Sequence, residues 1–102
     1  QMDEVMGTQI CAVDNYGNVY HLTVSNGAIN GTMDSPYCGR YSSVTGTYTG
    51  LSFQMHMGNP SSSSCIGFTY TGVVNPQTKT ASGTYVNDGG SGSGSFIMSL
   101  CQ

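Results

Sequence analysis

The side chains able to do chemistry are few, and their spacing limits what they can do. His21 and His56 are the only histidines. General acid–base catalysis needs an imidazole with a proton-transfer partner in reach, and no carboxylate lies at catalytic spacing from either. Met55-His56-Met57 offers the thioether and imidazole ligands that copper(I) prefers. On an extended strand the two methionines point one way and His56 the other, so the triplet reads as core packing beside an outward histidine. Asp3, Glu4, Asp14, Asp34 and Asp88 are the only acids, and none is spaced as a catalytic pair. Asp88-Gly89-Gly90 reads as a turn and lacks the other ligands of a calcium loop. The run Ser61–Ser64 has no nucleophile-elbow context and reads as a loop, as does 89–95. Asn30-Gly31-Thr32 fits the glycosylation sequon, with Asn30 facing outward. With no acid/base pair, nucleophile or metal cluster, the chain is expected to be no enzyme and to need no cofactor.

Cys11, Cys38, Cys65 and Cys101 are the remaining reactive groups, and they are widely spaced. Zinc sites usually draw ligands from close pairs. An even number of distant cysteines in a short polar chain reads instead as two disulfides, which implies a secreted, extracellular or periplasmic protein. The chain opens on Gln1, as a chain does once a signal peptide is removed; trimming gives the same start.

The 102 residues suffice for one domain, 1–102. Charged residues make up 7%, and the net charge is −3. Seven Tyr and three Phe supply a core that a disordered chain would lack. Lys79 and Arg40 are the only basic side chains, too few to follow a phosphate backbone or bind an anionic membrane surface. No run is apolar and long enough for a membrane-spanning helix.

Clusters of Gly, Ser, Thr and Asn punctuate short runs of period-two alternation. The pattern predicts eight strands near 7–13, 18–24, 28–34, 43–49, 50–57, 65–72, 80–86 and 94–101, with essentially no helix. Pro36, Pro60 and Pro76 fall in the connections. Residues 1–6 either complete the first strand or reach into a neighbouring subunit. Alternation puts Tyr20, Leu22, Val24, Ile29, Met33, Val44 and Tyr48 on one face. Leu51, Phe53, Met55, Met57, Ile66, Phe68, Tyr70, Tyr85, Phe96, Met98 and Leu100 join them. The other face is mostly Thr, Ser, Asn and Gln. One apolar and one wet face, with short connections throughout, predict an all-β, eight-stranded antiparallel up-and-down barrel stapled by disulfides. Gly31, Gly46 and Gly83 recur before Thr on the inward face. There they allow strand coiling and leave space beside the large rings.

Gly7-Thr8, Asp14-Asn15-Tyr16-Gly17-Asn18 and Gly27-Ala28-Ile29-Asn30-Gly31-Thr32 together resemble the opening strands of the avidin and streptavidin family. Ile66-Gly67-Phe68-Thr69 and Ser82-Gly83-Thr84-Tyr85-Val86 extend the likeness, as in other calycin-type barrels. The resemblance implies the fold but not biotin. The family's pocket is walled by tryptophans, and this chain has none. The family's third-strand Tyr falls on Met33, only Ser35 keeps its type, and no Asp follows Phe96.

In such a barrel the first, third, fifth and seventh connections share one end, and here they carry most of the loop length. This end is the expected mouth, where Tyr16, Tyr37, Arg40 and Tyr41 form a contact surface. Tyr20, Tyr48, Tyr70 and Tyr85 point inward. They either hydrogen-bond among themselves in a filled core, the reading adopted, or line a ligand cavity. Two functions fit. One is a secreted binding module that takes a small apolar ligand or a protein partner at the mouth. The other is a structural subunit of an extracellular filament, matrix or surface layer, as a homo-oligomer or polymer. The topology also predicts the pairing. Cys38 and Cys65 meet over the mouth, and Cys11 joins Cys101 across the closing seam. The seam bond needs strand stagger, because Cys11 falls toward the mouth end of its predicted strand and Cys101 toward the opposite end.

Overall fold

A computed structural model describes residues 2–62 and 64–101. The alternating runs form β1 (Gln9–Asp14), β2 (Val19–Ser25), β3 (Ala28–Ser35), β4 (Gly39–Thr49), β5 (Ser52–Pro60), β6 (Phe68–Asn75), β7 (Thr80–Asn87) and β8 (Ser93–Leu100). Each pairs antiparallel with its neighbour in sequence, and β8 pairs back onto β1, so the sheet is a closed up-and-down barrel. Closure removes both free edges. Tight turns such as Asn26-Gly27, with φ of 54° and 80°, join strands at one end. The connections 36–38, 61–67 and 88–92, which together carry most of the loop length, gather with the Asn15–Asn18 hairpin at the other.

Residues 2–6 neither extend β1 nor reach outward. They form a short helix, α1 (Met2–Met6), five residues in a chain otherwise built of strands. Asp3 and Glu4 suit its first turn. Met2 and Met6, one turn apart, share a face that closes the barrel end opposite the long loops. Gly7, at φ 82°, releases the chain into β1.

Two further departures follow from local geometry. β4 starts at Gly39, so Tyr41 belongs to a strand and is fully buried, where a loop tyrosine was expected. The β3–β4 register shifts by one between Gly31 and Met33. This bulge resets the alternation, so that Tyr41 and Val44 both point inward. β6 starts at Phe68, and Ile66, expected to be internal, is 41% exposed. The other predicted inward residues are buried or packed on the core.

Both disulfides form as expected, Cys11–Cys101 and Cys38–Cys65, with Cα separations of 5.2 and 5.9 Å. Because β1 begins only at Gln9, Cys11 lies toward the helix-closed end, like Cys101. Ala12 faces Leu100, and the Cys101 N–H donates to the Cys11 carbonyl at 2.9 Å, so no stagger is needed.

The recurring glycines serve close backbone approach. A Cβ at Gly83 would run into the Thr71 carbonyl and come within 2.6 Å of Gly72 Cα. Space for rings is supplied instead by Gly72, whose Cβ would meet Phe53 and Phe96 at 2.9 Å, and by Gly94 against Tyr85. Gly83→Ala is expected to destabilise the barrel by about 1–3 kcal/mol in urea unfolding, as overpacking does. A neutral result would show that β6 and β7 can separate freely.

Candidate functional site

The interior divides into two unequal parts. Toward α1 the side chains fill it, leaving an apolar void of about 30 Å³ among Met2, Leu22, Phe53, Met55 and Met98. That is about the share of one water molecule in the liquid. Toward the long loops it opens as a cup of about 400 Å³. Side chains therefore fill the core at the α1 end, and at the other end the cup lies over the buried Met33, Tyr41 and Tyr70.

The cup is built on Asp14, which ends β1 and is 6% exposed. Ala12 and Asp14 continue one inward phase, so the chain carries a carboxyl group into the barrel. The Asp14–Asn18 turn surrounds that group with donors. The Tyr16 and Asn18 N–H groups donate to Oδ1 at 2.8 and 3.0 Å. Asn18 Nδ2 and the Tyr20 hydroxyl donate to Oδ2 at 2.9 and 2.7 Å. A buried acid without such partners would be costly. Here it fixes both the hairpin and Tyr20.

Aromatic rings stand above this base. Tyr70 packs edge-on against Tyr20, with centroids 6.1 Å apart, and stacks with Tyr85 at 5.7 Å. Phe68 meets Tyr85 at 89° and 5.7 Å, and Tyr16 meets it at 87° and 5.9 Å. Tyr41 lies tilted against Phe68. Two hydroxyls are anchored to backbone: Tyr16 donates to the Ser95 carbonyl and Tyr41 to that of Ile66, both at 2.8 Å. At the rim, Ser35 Oγ accepts from the Tyr37 and Cys38 N–H groups. The Cys38–Cys65 bond ties this loop to the 61–67 connection.

Of the sequence-predicted site residues, Tyr16, Tyr37, Tyr41, Tyr70 and Tyr85 line the cup. Tyr37 is 91% exposed at its lip. Tyr20 lies beneath, bonded to Asp14. Two residues are elsewhere. Arg40 sits on the outer face, its Nε and Nη2 donating to the two Asp34 oxygens at 2.8 and 3.0 Å, and it does not line the cup beside the tyrosines. Tyr48 is buried near α1 beside Gly27 and Asp3, and its hydroxyl closes no well-formed hydrogen bond. Asn18, Met33, Ser35, Cys38 and Phe68 also line the cup. Met33 and Phe68 were expected only as core.

The fold also gives His56 an acid partner that its sequence neighbours do not. Asp88 reaches His56 Nε2 at 3.0 Å, with both side chains 47% exposed. An exposed pair of this kind is screened by solvent. Among the described residues no group of three or more His, Cys, Asp or Glu could hold a metal ion.

Burial sets the acidity of the cup tyrosines. Burial first, then Tyr70 and Asp14, pushes the Tyr20 hydroxyl far above the ordinary value. Burial likewise pushes Tyr70 up to about 12, and contact with Tyr16 raises Tyr85. A raised tyrosine favours the folded state while neutral. This stabilisation is complete below the ordinary value of 10.0 and falls as pH rises through the raised values. A tyrosinate absorbance titration should therefore show a late group of hydroxyls ionising near or above pH ~12, accompanied by loss of the β circular dichroism signal. Uniform ionisation near the ordinary value with the fold intact would contradict this packing.

The fold and the cup define a closed eight-stranded antiparallel barrel, compatible with the calycin-like architecture. No known family model matches the chain, and neither does any curated protein sequence. No helix among the described residues is long and apolar enough to cross a membrane.

Proposed function

We propose that the protein is a non-catalytic, secreted binding module that seats a small, largely apolar ligand in the aromatic cup. The observation that carries this reading is the contrast between the ends: one filled and capped by α1, the other open at about 400 Å³ and aromatic-lined. Ligand sites are typically concave, mostly apolar and preformed, with a few fixed polar groups, and they occur in barrel mouths. The avidin-like sequence pattern agrees with a ligand held inside the barrel. The missing tryptophans argue for a ligand other than biotin. Two disulfides in a small domain are consistent with export. The outward strand positions are largely Thr, Ser and Gln, unlike the apolar belt of a membrane barrel.

Indole tests the reading well, because the chain has no tryptophan to compete with its fluorescence. Saturable binding is expected, weakened about tenfold or more by Tyr85→Ala and unaffected by Val73→Ala on the outer face. Absence of saturable binding, or equal effects of the two variants, contradicts it. A structural subunit would have to associate through side-chain faces, since closure leaves no edge strand to extend. Sedimentation showing an open polymer would favour that role; a discrete particle favours the binding module.

A further inference from the structure

We propose that the cup is a seat for a free quaternary ammonium cation about the size of choline, held against the rings of Tyr16, Phe68 and Tyr85. The proposal rests on the cup being a ligand seat and names the chemistry of its occupant. Three independent observations favour a cation over a neutral or anionic ligand.

The first is ring geometry. Phe68 and Tyr16 stand at 89° and 87° to Tyr85, while Tyr70 lies stacked beside it at 30°. Rings set at right angles wall more than one side of a cavity, and the negative π-faces of such a cage attract an organic cation.

The second is the direction of the hydroxyl protons. Tyr16, Tyr20 and Tyr41 donate theirs to Ser95, Asp14 and Ile66 respectively, away from the cavity. None of these three hydroxyls is left to serve an anion. A methylated ammonium, which has no N–H to satisfy, needs none.

The third is charge. Asp14 lies beneath the rings, and its field reaches the hydroxyls of both Tyr70 and Tyr85. No basic side chain opposes it among the residues lining the cup. Arg40 is paired with Asp34 on the outer face, and Lys79 lies at the α1 end. The carboxyl group is already bonded to four donors. It therefore favours a cation through space, without the direct ion pair that a primary ammonium would seek.

The test compares choline with 3,3-dimethylbutan-1-ol, which replaces the charged nitrogen by carbon at the same shape. Binding is measured by titration of the intact, disulfide-bonded chain. Choline is expected to bind about tenfold or more tightly than the alcohol, as cation–π contact in a desolvated site allows. Phe68→Leu should remove most of this preference, whereas Tyr85→Phe, which keeps the π-face, should retain it. Circular dichroism melts identify any variant that fails to fold, and the wild-type comparison does not depend on them. Equal binding, or preference for the alcohol, overturns the cation while leaving the cup a seat for apolar ligands. Failure of choline to bind also overturns it, and the indole experiment then decides the cup separately. A folded Phe68→Leu protein that keeps the full preference overturns it as well.

Discussion

Replacing Cys11 and Cys101 with alanine is expected to lower the unfolding free energy by about 4–5 kcal/mol, more than removal of Cys38–Cys65, which should cost about 3.5 kcal/mol. The difference arises in the unfolded chain. One bond closes a loop of 90 residues in sequence and the other a loop of 27, and the entropy a crosslink removes grows with the logarithm of loop length. The location of the seam bond adds a second reason. β1 and β8 pair over only three residues, Ala12 to Asp14, whereas β7 and β8 pair over seven. The closing ladder is therefore the shortest in the barrel, and the bond lies at its end. Small domains have total stabilities of about 5–15 kcal/mol, so the seam variant should be marginal at room temperature. Urea unfolding of the two double variants checks the order. Equal losses, or a smaller loss at the seam, would show that closure does not depend on this crosslink.

Asp14→Ala is expected to cost about 3–4 kcal/mol, because it breaks a charge-assisted network and leaves buried donors without acceptors. Tyr20 is fully buried and its hydroxyl donates to Asp14, while the Asn18 side chain and two backbone N–H groups depend on the same carboxyl group. Tyr20→Phe removes only one of these bonds and should cost about 1–1.5 kcal/mol. If the aspartate variant is no less stable than the tyrosine variant in the same unfolding experiment, Asp14 is not the base of the cup. Asp14→Asn is a sharper comparison. It keeps the volume but turns an amide donor toward groups that are themselves donors, so it should fall between the other two.

Most of the barrel was legible in the sequence because the period-two signal is strong. Residues such as Leu22, Val24, Met55 and Met57 alternate with polar neighbours, and turn signals such as Asn26-Gly27 mark where strands reverse. The disulfide pairing followed from the topology alone. What was misread lies where alternation is interrupted or absent. The bulge between Gly31 and Met33 resets the phase of β4, so Tyr41, next to a proline-containing loop, looked like a surface residue. Met2–Met6 is too short for a helical period to show against the polar background. Arg40 looked like part of the mouth because the loop seemed to contain it, whereas its strand turns it outward to Asp34.

The cup itself was partly legible. Tyr70 and Tyr85 were recognised as inward hydroxyls, but sequence does not reveal how far a barrel end is filled. That depends on which rings lean on which: Gly94 makes room for Tyr85, and Tyr85 in turn carries Tyr16 and Phe68. Asp14 was the residue with a readable signal that was missed. Ala12 and Asp14 share the inward phase of β1, and a polar residue in that phase marks a place where the core is interrupted on purpose. The pairing of His56 with Asp88 had no local signal, because 32 residues separate them.

The methionine methyl groups allow the most direct test of the ligand seat. Met33 lines the cup, whereas Met2, Met6, Met55 and Met98 line the void at the α1 end. In a protein carrying ¹³C-methyl methionine, titration with indole or choline should shift the Met33 resonance in a saturable way and leave those four in place. A ligand that moves the Met2, Met6 or Met98 signals and leaves Met33 unchanged would contradict a binding site at the aromatic mouth.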